Sequence, residues 1–323
     1  MKAVKDTIKR MNEYGRDQIP FVFLIDYDMQ NLKVFRMEEL DENNIWISFP
    51  EFSNRNVNKS PIDFTFEKAP VDFARYQKAF EVVMSAIKRG DTFLLNLTFP
   101  TFLNTDLTID KIFDHSSAKY KLKFKDQFVV FSPEPFVQIK GNKISSFPMK
   151  GTMDASIENA EKRLMEDIKE VSEHNTIVDL IRNDLSMVSK NVRMKKFRYI
   201  EKIKTHEKEL LQTSSEISGE LPADWENNLG DIIFRILPAG SISGAPKQKT
   251  VEIIKEAEGY ERGYFTGVLG YFDGQSLDSA VMIRYIEKQG EKLVFKSGGG
   301  ITYFSECKQE YKELIDKVYV PII

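Results

Sequence analysis

The sequence predicts an α+β protein with mainly antiparallel strands, and two observations carry this prediction. Segments whose apolar residues recur at helical spacing occur along the same chain as segments dense in β-branched and aromatic residues. Two pairs of strand-like segments are separated by short turn sequences, Gly141-Asn142 and Asp273-Gly274. Such turns are typical of hairpins, which join antiparallel strands.

The N-terminal part of the chain predicts two strands, a clear one at residues 20–27 and a weaker one at 45–49. Residues 51–70 contain serine, asparagine, lysine and proline and predict a connector. We therefore expect a short N-terminal portion, residues 1–70, packed on a main body of residues 71–323.

The main body opens with the clearest helix signal of the chain. From Phe73 to Ile87 the apolar positions recur at three and four residues, with Asp72 as a candidate N-cap and Gly90 as the end. Residues 92–99 then predict a buried strand. Other strands are predicted at 128–131, 136–140, 143–147, 263–272, 277–286 and 292–296, and helices at 156–189, 248–257 and the C-terminus.

The composition excludes several classes of function. The chain has 323 residues, 41% of them apolar and 29% charged, which is enough for a large buried core. A net charge of -3 and a pI near 5.9 disfavour nucleic-acid binding. The chain shows no leader and no long apolar span, so we expect no membrane association. Cys307 is the single cysteine, and a cytoplasmic protein is expected.

Lys150 is the first candidate catalytic residue. It lies in Pro148-Met-Lys-Gly-Thr152, directly after the strand predicted at 143–147, where proline restricts the backbone and Gly151 frees it. A lysine at such a strand exit is usually solvated. The other candidates in the chain favour a chemical role for this one.

Glu134 is the second candidate catalytic residue. Prolines flank it on both sides in Ser132-Pro-Glu-Pro-Phe136 and restrict its backbone. We expect the hairpin formed by the strands at 136–140 and 143–147 to bring Glu134 towards the Lys150 end of the second strand. An ordinary loop glutamate is the alternative interpretation.

Two pairs of glutamates, Glu170 with Glu173 and Glu310 with Glu313, are each spaced by three residues within predicted helices. Residues three apart share a helix face, where like charges destabilise the helix unless a cation neutralises them. A solvated helix face is the common explanation. A Mg²⁺ site is the other, because Mg²⁺ binds carboxylate oxygens together with water and substrate oxygens. The nearby Asp179 and Asp184 are interpreted as structural.

Candidate anion-binding positions are concentrated in the last third of the chain. The loop 238–247, which contains Ser241, runs into a predicted helix whose first amides could bind an anion. Arg284 is the single cation in a predicted apolar strand and must face outward or meet an anion. The glycines Gly298, Gly299 and Gly300 would let a ligand approach the backbone closely. Together with the glutamates and Lys317, these residues indicate a small substrate with two carboxylates and a bound Mg²⁺.

The chain resembles the chorismate-utilising enzymes, and within them most closely the aminodeoxychorismate synthases (component I). The resemblance covers about residues 72 to 318. Its motifs are Gly90-Asp-Thr-Phe-Leu-Leu-Asn-Leu97, Ser132-Pro-Glu134, Pro148-Met-Lys-Gly-Thr152, Glu173-His-Asn-Thr-Ile-Val-Asp-Leu-Ile-Arg-Asn-Asp-Leu185, Gly240-Ser-Ile-Ser-Gly-Ala-Pro-Lys247, Gly298-Gly-Gly300 and Glu310-Tyr-Lys-Glu-Leu-Ile-Asp-Lys317.

The resemblance implies a large chorismate-binding fold of two packed, mainly antiparallel β-sheets with helices on the outside. It implies chorismate as substrate and Mg²⁺ as cofactor. Glu173 and Glu313 match direct metal ligands, and Glu170 and Glu310 match glutamates that act through water. The positions that match substrate-binding residues are Thr152, Ser241, Arg284, Gly298, Gly299, Gly300 and Lys317.

The resemblance also implies a mechanism. Lysine at position 150 is the mark of the aminodeoxychorismate synthases, in which the amine adds at C2 of chorismate while the C4 hydroxyl leaves. Ammonia then attacks C4 and expels the lysine. An amine with an ordinary pKa of about 10.4 must first become neutral to act as the nucleophile. Glu134 matches the general acid that protonates the leaving hydroxyl.

The chain departs from the family pattern at three places. Gln212 stands where a histidine is usual, Phe265 where a tyrosine is common, and the N-terminal part is short. No glutaminase triad is visible, which implies a separate glutamine amidotransferase subunit as the source of ammonia. The resemblance leaves an anthranilate synthase component I or a non-catalytic chorismate-binding paralogue as alternatives.

Overall fold

The structure of the chain, a computed structural model, describes residues 2–56, 62–204 and 209–322. Its helices are α1 (Lys2–Arg16), α2 (Glu39–Glu42), α3 (Phe73–Arg89), α4 (Ile109–His115), α5 (Ala160–Glu166), α6 (Ile168–Ser186), α7 (Leu229–Arg235), α8 (Lys247–Glu258) and α9 (Cys307–Asp316). Its strands are β1 (Phe21–Ile25), β2 (Leu32–Arg36), β3 (Ile45–Phe49), β4 (Phe52–Ser53), β5 (Phe66–Ala69), β6 (Leu94–Thr105), β7 (Tyr120–Phe124), β8 (Phe128–Ser132), β9 (Pro135–Lys140), β10 (Lys143–Ser146), β11 (Met149–Asp154), β12 (Lys190–Lys204), β13 (Glu209–Glu220), β14 (Gly244–Ala245), β15 (Val268–Phe272), β16 (Leu277–Val281), β17 (Tyr285–Gln289) and β18 (Lys292–Ile301).

The chain divides into two compact units, each built around one sheet. The first unit comprises Met1–Met37, Glu134–Ser241 and Gly267–Val281, and the second comprises Glu38–Pro133, Ile242–Thr266 and Met282–Ile323. The division falls after Met37, within the first 70 residues. This N-terminal part gives β1 and β2 to one sheet and β3, β4 and β5 to the other. The expected boundary at residue 70 therefore coincides with no edge of either unit.

The sheet of the first unit has the strand order β11-β13-β10-β9-β16-β15-β1-β2, with β12 added on β13. Its strand pairs are antiparallel, and β1 lies between β15 and β2. Helix α1 packs near α7, where Asn12 Nδ2 donates to Asp231 Oδ2 over 2.6 Å. Phe21 and Trp225 both contact the ring of Phe272 in the core beneath this sheet.

The sheet of the second unit has the strand order β14-β6-β18-β17-β8-β7-β3-β4, with β5 added on β6. Its pairs are also antiparallel, and the longest joins β6 to β18 from Leu95–Ile301 to Leu103–Leu293. The helices α3 and α8 pack on each other, and α9 packs on β18. The α+β class with two antiparallel sheets is therefore confirmed.

Several local predictions are confirmed. Helix α3 spans Phe73–Arg89, Asp72 Oδ1 accepts a hydrogen bond from Ala74 N, and Gly90 adopts a left-handed conformation. Strand β3 has the predicted bounds. Strands β9 and β10 form the predicted hairpin, with Lys140 opposite Lys143.

Other predictions were wrong because contacts between distant parts of the chain override the local sequence pattern. The segment 277–286 is interrupted, and Arg284 lies at a bend with φ of 52° rather than within a strand. The prediction that residues 156–189 are mostly helical is confirmed by the two helices α5 and α6. The predicted connector 51–70 contains β4 and β5, and its residues 57–61 lie outside the described residues.

Candidate active site

Lys150 lies on the short strand β11, which pairs with β13. The register shifts between Lys150 and Thr152, and Gly151 between them has φ of 76°. A side chain at position 151 would be strained at this φ, which explains the glycine. A Cβ atom there would also lie 3.1 Å from Glu170 Oε2. The glycine therefore brings the backbone of β11 against an acidic side chain of α6.

The amine of Lys150 forms an ion pair with Glu173. Lys150 Nζ lies 3.6 Å from Glu173 Oε2, and the two side chains are 19% and 8% exposed. Both glutamates of the first pair, Glu170 and Glu173, thus lie against the Lys150-Gly151 segment. The sequence predicted Glu170 and Glu173 on one helix face, and in the structure the Lys150 ammonium lies against that face.

Helix α6 presents these glutamates from its first two turns. Asp167 caps the helix by accepting a hydrogen bond from the backbone N–H of Glu170 over 3.0 Å. His174 follows Glu173 and is fully buried, with Nε2 2.6 Å from Ser215 Oγ. Burial, together with the positive charges of Arg198 and Lys150, lowers the pKa of His174 to about 4. His174 is thus neutral near pH 7.

Glu134 lies at a small cavity in the first unit. The cavity has a volume of about 20 Å³, and its polar lining residues are Glu134, Ser146, Asp184 and Ser241. A volume of roughly 10–15 Å³ or more can hold one water molecule. Asp184 is only 4% exposed there. It was interpreted from the sequence as a structural residue, and no sequence signal distinguished it from the exposed Asp179 on the same helix.

The two other substrate-binding candidates of the first unit differ in exposure. Ser241 is partly buried at the cavity that Glu134 lines. Thr152 is exposed, opposite Gln212 in the register of β11 and β13. The structure therefore groups Ser241 with Glu134 and leaves the side chain of Thr152 open to solvent.

In the second unit, the second glutamate pair faces the glycines of β18. A Cβ atom on Gly299 would lie 3.2 Å from Glu313 Oε1 and 3.5 Å from Glu310 Oε2. Lys317 Nζ lies 2.6 Å from Glu313 Oε1 and donates to the carbonyl oxygen of Gly298 over 2.9 Å. Two carboxylates, an ammonium and a side-chain-free stretch of strand therefore lie together.

The glycines 298–300 are part of β18 rather than a loop after it. They pair in register with Thr98, Leu97 and Asn96 of β6. A Cβ atom on Gly298 would lie 2.2 Å from the carbonyl oxygen of Leu97, so this glycine is required by strand packing. Close approach to a ligand remains a prediction for the backbone of Gly298, Gly299 and Gly300.

Gly244, in the loop predicted to bind an anion, also has a structural explanation. It pairs with Leu95 as part of β14, and a Cβ atom on it would lie 1.9 Å from the carbonyl oxygen of Leu94. Its glycine is therefore required by the approach of β14 to β6. Helix α8 begins at Lys247 after Pro246, without a side-chain cap.

Arg284 contacts the C-terminal segment of the chain. Its Nη1 donates to the carbonyl oxygen of Lys317 over 2.9 Å, and its guanidinium lies 4.9 Å from the ring centre of Tyr319. Its Nε is buried without a hydrogen-bond partner among the described residues. A buried donor of this kind favours an anionic ligand.

Two of the three departures from the family pattern, Gln212 and Phe265, lie within the folded units. Gln212 is in β13, and its Oε1 is buried without a hydrogen-bond partner among the described residues. Phe265 is 3% exposed, and its ring lies 5.9 Å from that of Tyr285. The ring of Phe265 is thus held in its buried position by packing near the ring of Tyr285.

The donor chemistry of both glutamate pairs fits Mg²⁺, which prefers carboxylate oxygens. Each pair lies against a glycine, which itself contributes no side chain beside the carboxylates. Within residues 2–56, 62–204 and 209–322, no group of three or more histidine, cysteine, aspartate or glutamate side chains is arranged to hold a metal ion. A site made from all four glutamates stays a prediction.

Comparison with known proteins assigns the family. The family model described as chorismate binding enzyme matches residues 20–322. An uncharacterized PabA-like protein of Haemophilus influenzae is 48% identical over 98% of this chain and 96% of its own length. Aminodeoxychorismate synthase component 1 of Bacillus subtilis is 31% identical over 91% of this chain and 63% of its own length. Anthranilate synthase component 1 of Lactococcus lactis is 33% identical over 72% of this chain and 53% of its own length.

A solved structure agrees in fold. The menaquinone-specific isochorismate synthase MenF of Escherichia coli matches with a TM-score of 0.74 and 16% identity, over 97% of this chain and 80% of that one. In the part of the chain that the structure describes, no helix is long and apolar enough to cross a membrane. Because the family model covers nearly the whole chain, the protein belongs to the chorismate binding enzyme family.

Proposed function

We propose that this chain is the chorismate-aminating component of an aminodeoxychorismate synthase, which converts chorismate and ammonia into 4-amino-4-deoxychorismate. The observation that carries the proposal is the placement of Lys150. Its side chain is four-fifths buried, and its amine lies 3.6 Å from Glu173, beside the backbone that Glu170 also approaches. A lysine in such a setting can act as a nucleophile.

The proposed role of Lys150 is to add at C2 of chorismate while the C4 hydroxyl departs as water. Its ion pair with Glu173 favours the ammonium form, which is not nucleophilic. The reactive amine therefore requires the charge of Glu173 to be engaged by another cation. Ammonia then attacks C4, and the bond between C2 and Lys150 breaks.

Glu134 is the proposed general acid. It donates its proton to the departing C4 hydroxyl, so that water rather than hydroxide leaves. Its position at a cavity with Ser241 and the buried Asp184 shields the carboxyl group from bulk solvent on that side.

Arg284 and Lys317 are the proposed partners of the substrate carboxylates, together with Thr152, Ser241 and the amides of Gly298, Gly299 and Gly300. The buried Nε of Arg284 supports its role, because it lacks a hydrogen-bond acceptor among the described residues. Glu170, Glu173, Glu310 and Glu313 are the proposed ligands of Mg²⁺. The ion would supply positive charge that neutralises a substrate carboxylate.

The proposal includes a protein partner. A glutamine amidotransferase subunit would supply the ammonia, since the chain carries a single cysteine, Cys307, within α9 and beside Glu306 rather than in a recognisable glutaminase triad.

Anthranilate synthase component I is the second candidate, and the 33% identity to the Lactococcus lactis enzyme favours it as much as the 31% identity to the Bacillus subtilis enzyme favours the first. Lys150 supports the first candidate, because amination at C4 through a lysine adduct needs it.

The test is an assay of the purified chain with chorismate, Mg²⁺ and ammonium, without a partner subunit. Nuclear magnetic resonance of the product then identifies the carbon that carries nitrogen. We expect nitrogen at C4. Nitrogen at C2 would identify an anthranilate synthase, and binding of chorismate without any product would identify a non-catalytic paralogue.

A further inference from the structure

Strand β12 contains a β-bulge at Phe197 and Arg198. Lys196 pairs with Glu216 and Tyr199 with Ser214, so β12 has one more residue than β13 across this stretch. Arg198 has φ of 43°, a left-handed conformation that residues other than glycine adopt uncommonly. Bulges redirect side chains, and backbone strain of this kind is retained where surrounding contacts hold it.

The bulge directs the side chain of Arg198 onto the end of α5. Arg198 is 4% exposed, and its Nη1 and Nη2 donate to the carbonyl oxygens of Met165 and Leu164 over 2.7 and 2.8 Å. The last carbonyl groups of a helix accept no hydrogen bond from within the helix, and they carry partial negative charge. The buried guanidinium donates hydrogen bonds to two of these carbonyl groups, and their partial negative charge stabilises its positive charge.

The end of α5 determines where α6 begins. Only Asp167 separates the two helices, and its carboxylate caps α6 by accepting from Glu170 N over 3.0 Å. A shift of the last turn of α5 would therefore move the N-cap and the first turn of α6. Glu170 lies in that first turn.

The same bulge holds the next turn of α6 through a second contact. The backbone N–H of Arg198 donates to Ser215 Oγ over 2.9 Å, and Ser215 Oγ lies 2.6 Å from His174 Nε2. The ring of Phe197 lies edge-on to that of His174, with 5.8 Å between the ring centres. His174 is adjacent to Glu173. The contact of Arg198 with the end of α5 thus bears on the turn that carries Glu170, and the contact through Ser215 and His174 bears on the turn that carries Glu173.

We propose that Arg198 is a positioning residue for the Glu170–Glu173 pair, fixing the separation and direction of their carboxylates through α5 and the α6 cap. This inference rests on the proposed function, in which these carboxylates bind Mg²⁺. The side chain of Arg198 touches the end of α5, and its proposed role is to position the carboxylates rather than to bind the ion or the substrate. Lysine cannot replace it fully, because a single ammonium lacks the planar fork that reaches two carbonyl groups at once.

The test compares Arg198→Met and Arg198→Lys with the parent chain. Calorimetric titration with MgCl₂ measures affinity without any need for turnover. We expect Arg198→Met to weaken Mg²⁺ binding by about 10- to 100-fold, as is typical when a group that orients metal ligands is removed, and Arg198→Lys to weaken it less. Arg193→Met is the matched control, because Arg193 is an exposed arginine on the same strand. Its affinity should equal that of the parent.

Hydrogen exchange of the same proteins gives a second readout. In Arg198→Met, amides of residues 160–175 should exchange faster, while those of the hairpin β9–β10 should keep the parent rate. Mg²⁺ affinity of Arg198→Met within twofold of the parent would overturn the inference, and unchanged exchange at 160–175 would exclude the proposed route through α5. Should Arg198→Met unfold as a whole, Ser215→Ala and Arg198→Lys decide the question by the same two measurements.

The outcomes separate this inference from the proposed function. If the parent chain binds no Mg²⁺, the proposed metal role fails, and the exchange rates of residues 160–175 alone support or overturn the positioning role. If the parent binds Mg²⁺ and Arg198→Met binds it equally well, the positioning role fails and the proposed function stands.

Discussion

The amine of Lys150 and the carboxylate of Glu173 form an ion pair 3.6 Å apart, with both side chains largely buried. An opposite charge at this distance favours the ammonium form of the lysine. The same lysine must be neutral to form a bond to carbon. In the proposed reaction, the pair would keep Lys150 unreactive until the charge of Glu173 is compensated by another cation.

Glu173→Gln should increase the reactivity of Lys150. Removal of the negative charge leaves a desolvated amine, which favours the neutral form. Mass spectrometry of tryptic peptides after brief treatment with an amine-directed reagent measures the fraction of Lys150 labelled. Lys143, which pairs with Glu216 over 3.1 Å, serves as the internal control. Equal or lower labelling of Lys150 in the variant would contradict this account of the ion pair.

Lys150→Ala should abolish formation of the C4-aminated product while the protein stays folded. The lysine is the nucleophile in the proposed reaction, and an alanine offers no group that could replace it. Product is measured by chromatography, and folding by thermal unfolding. Lys143→Ala, at an exposed lysine of strand β10, should keep parent activity. Undiminished product from Lys150→Ala would refute the covalent role.

Gly151→Ala should destabilise the protein and weaken Mg²⁺ binding. Alanine would be strained at φ of 76°, and its Cβ would lie 3.0 Å from Leu164 Cδ1 and 3.1 Å from Glu170 Oε2. The left-handed conformation alone costs roughly 1–2 kcal/mol, and the crowding adds to this.

Gly141→Ala is the control for this prediction. Gly141 has φ of 57°, and no heavy atom lies within 4 Å of a Cβ placed there. Chemical denaturation should give a larger loss of unfolding free energy for Gly151→Ala than for Gly141→Ala, and only Gly151→Ala should change the affinity for Mg²⁺. Equal losses with unchanged affinity would show that position 151 does not bear on Glu170.

Glu134→Gln should lower kcat by about 10²- to 10⁴-fold, the range expected when a general acid is lost. Glutamine has nearly the same shape but donates no acidic proton to the departing hydroxyl. Steady-state kinetics should show a larger effect on kcat than on KM, since the substrate contacts proposed for Arg284 and Lys317 remain. A variant with parent kcat would exclude Glu134 as the acid.

The elements that the sequence predicted correctly are those with strong local signals. Helix α3 has regular apolar spacing, an aspartate cap and a glycine end, and all three features act within a few residues. The β9–β10 hairpin has a glycine turn with φ of 57° at Gly141. The pairing of Glu170 with Glu173 on one helix face followed from their spacing alone.

The features that sequence reasoning missed depend on distant parts of the chain. Strands β12 and β13 form a long antiparallel pair, but β12 is rich in lysine and arginine and gives no clear strand signal. Asp184 and Asp179 lie on the same helix, and only packing of the fold buries the first and exposes the second. The bend at Arg284 interrupts a run of apolar residues that reads as one strand.

The proposed reaction requires a covalent adduct between Lys150 and chorismate. Peptide mass spectrometry of protein mixed with chorismate and Mg²⁺, quenched before ammonium is added, detects this adduct directly. We expect the peptide containing Lys150 to gain the mass of chorismate less one water, and ammonium to remove this addition as the C4-aminated product forms. Formation of that product by a chain whose Lys150 never carries the added mass would exclude the adduct.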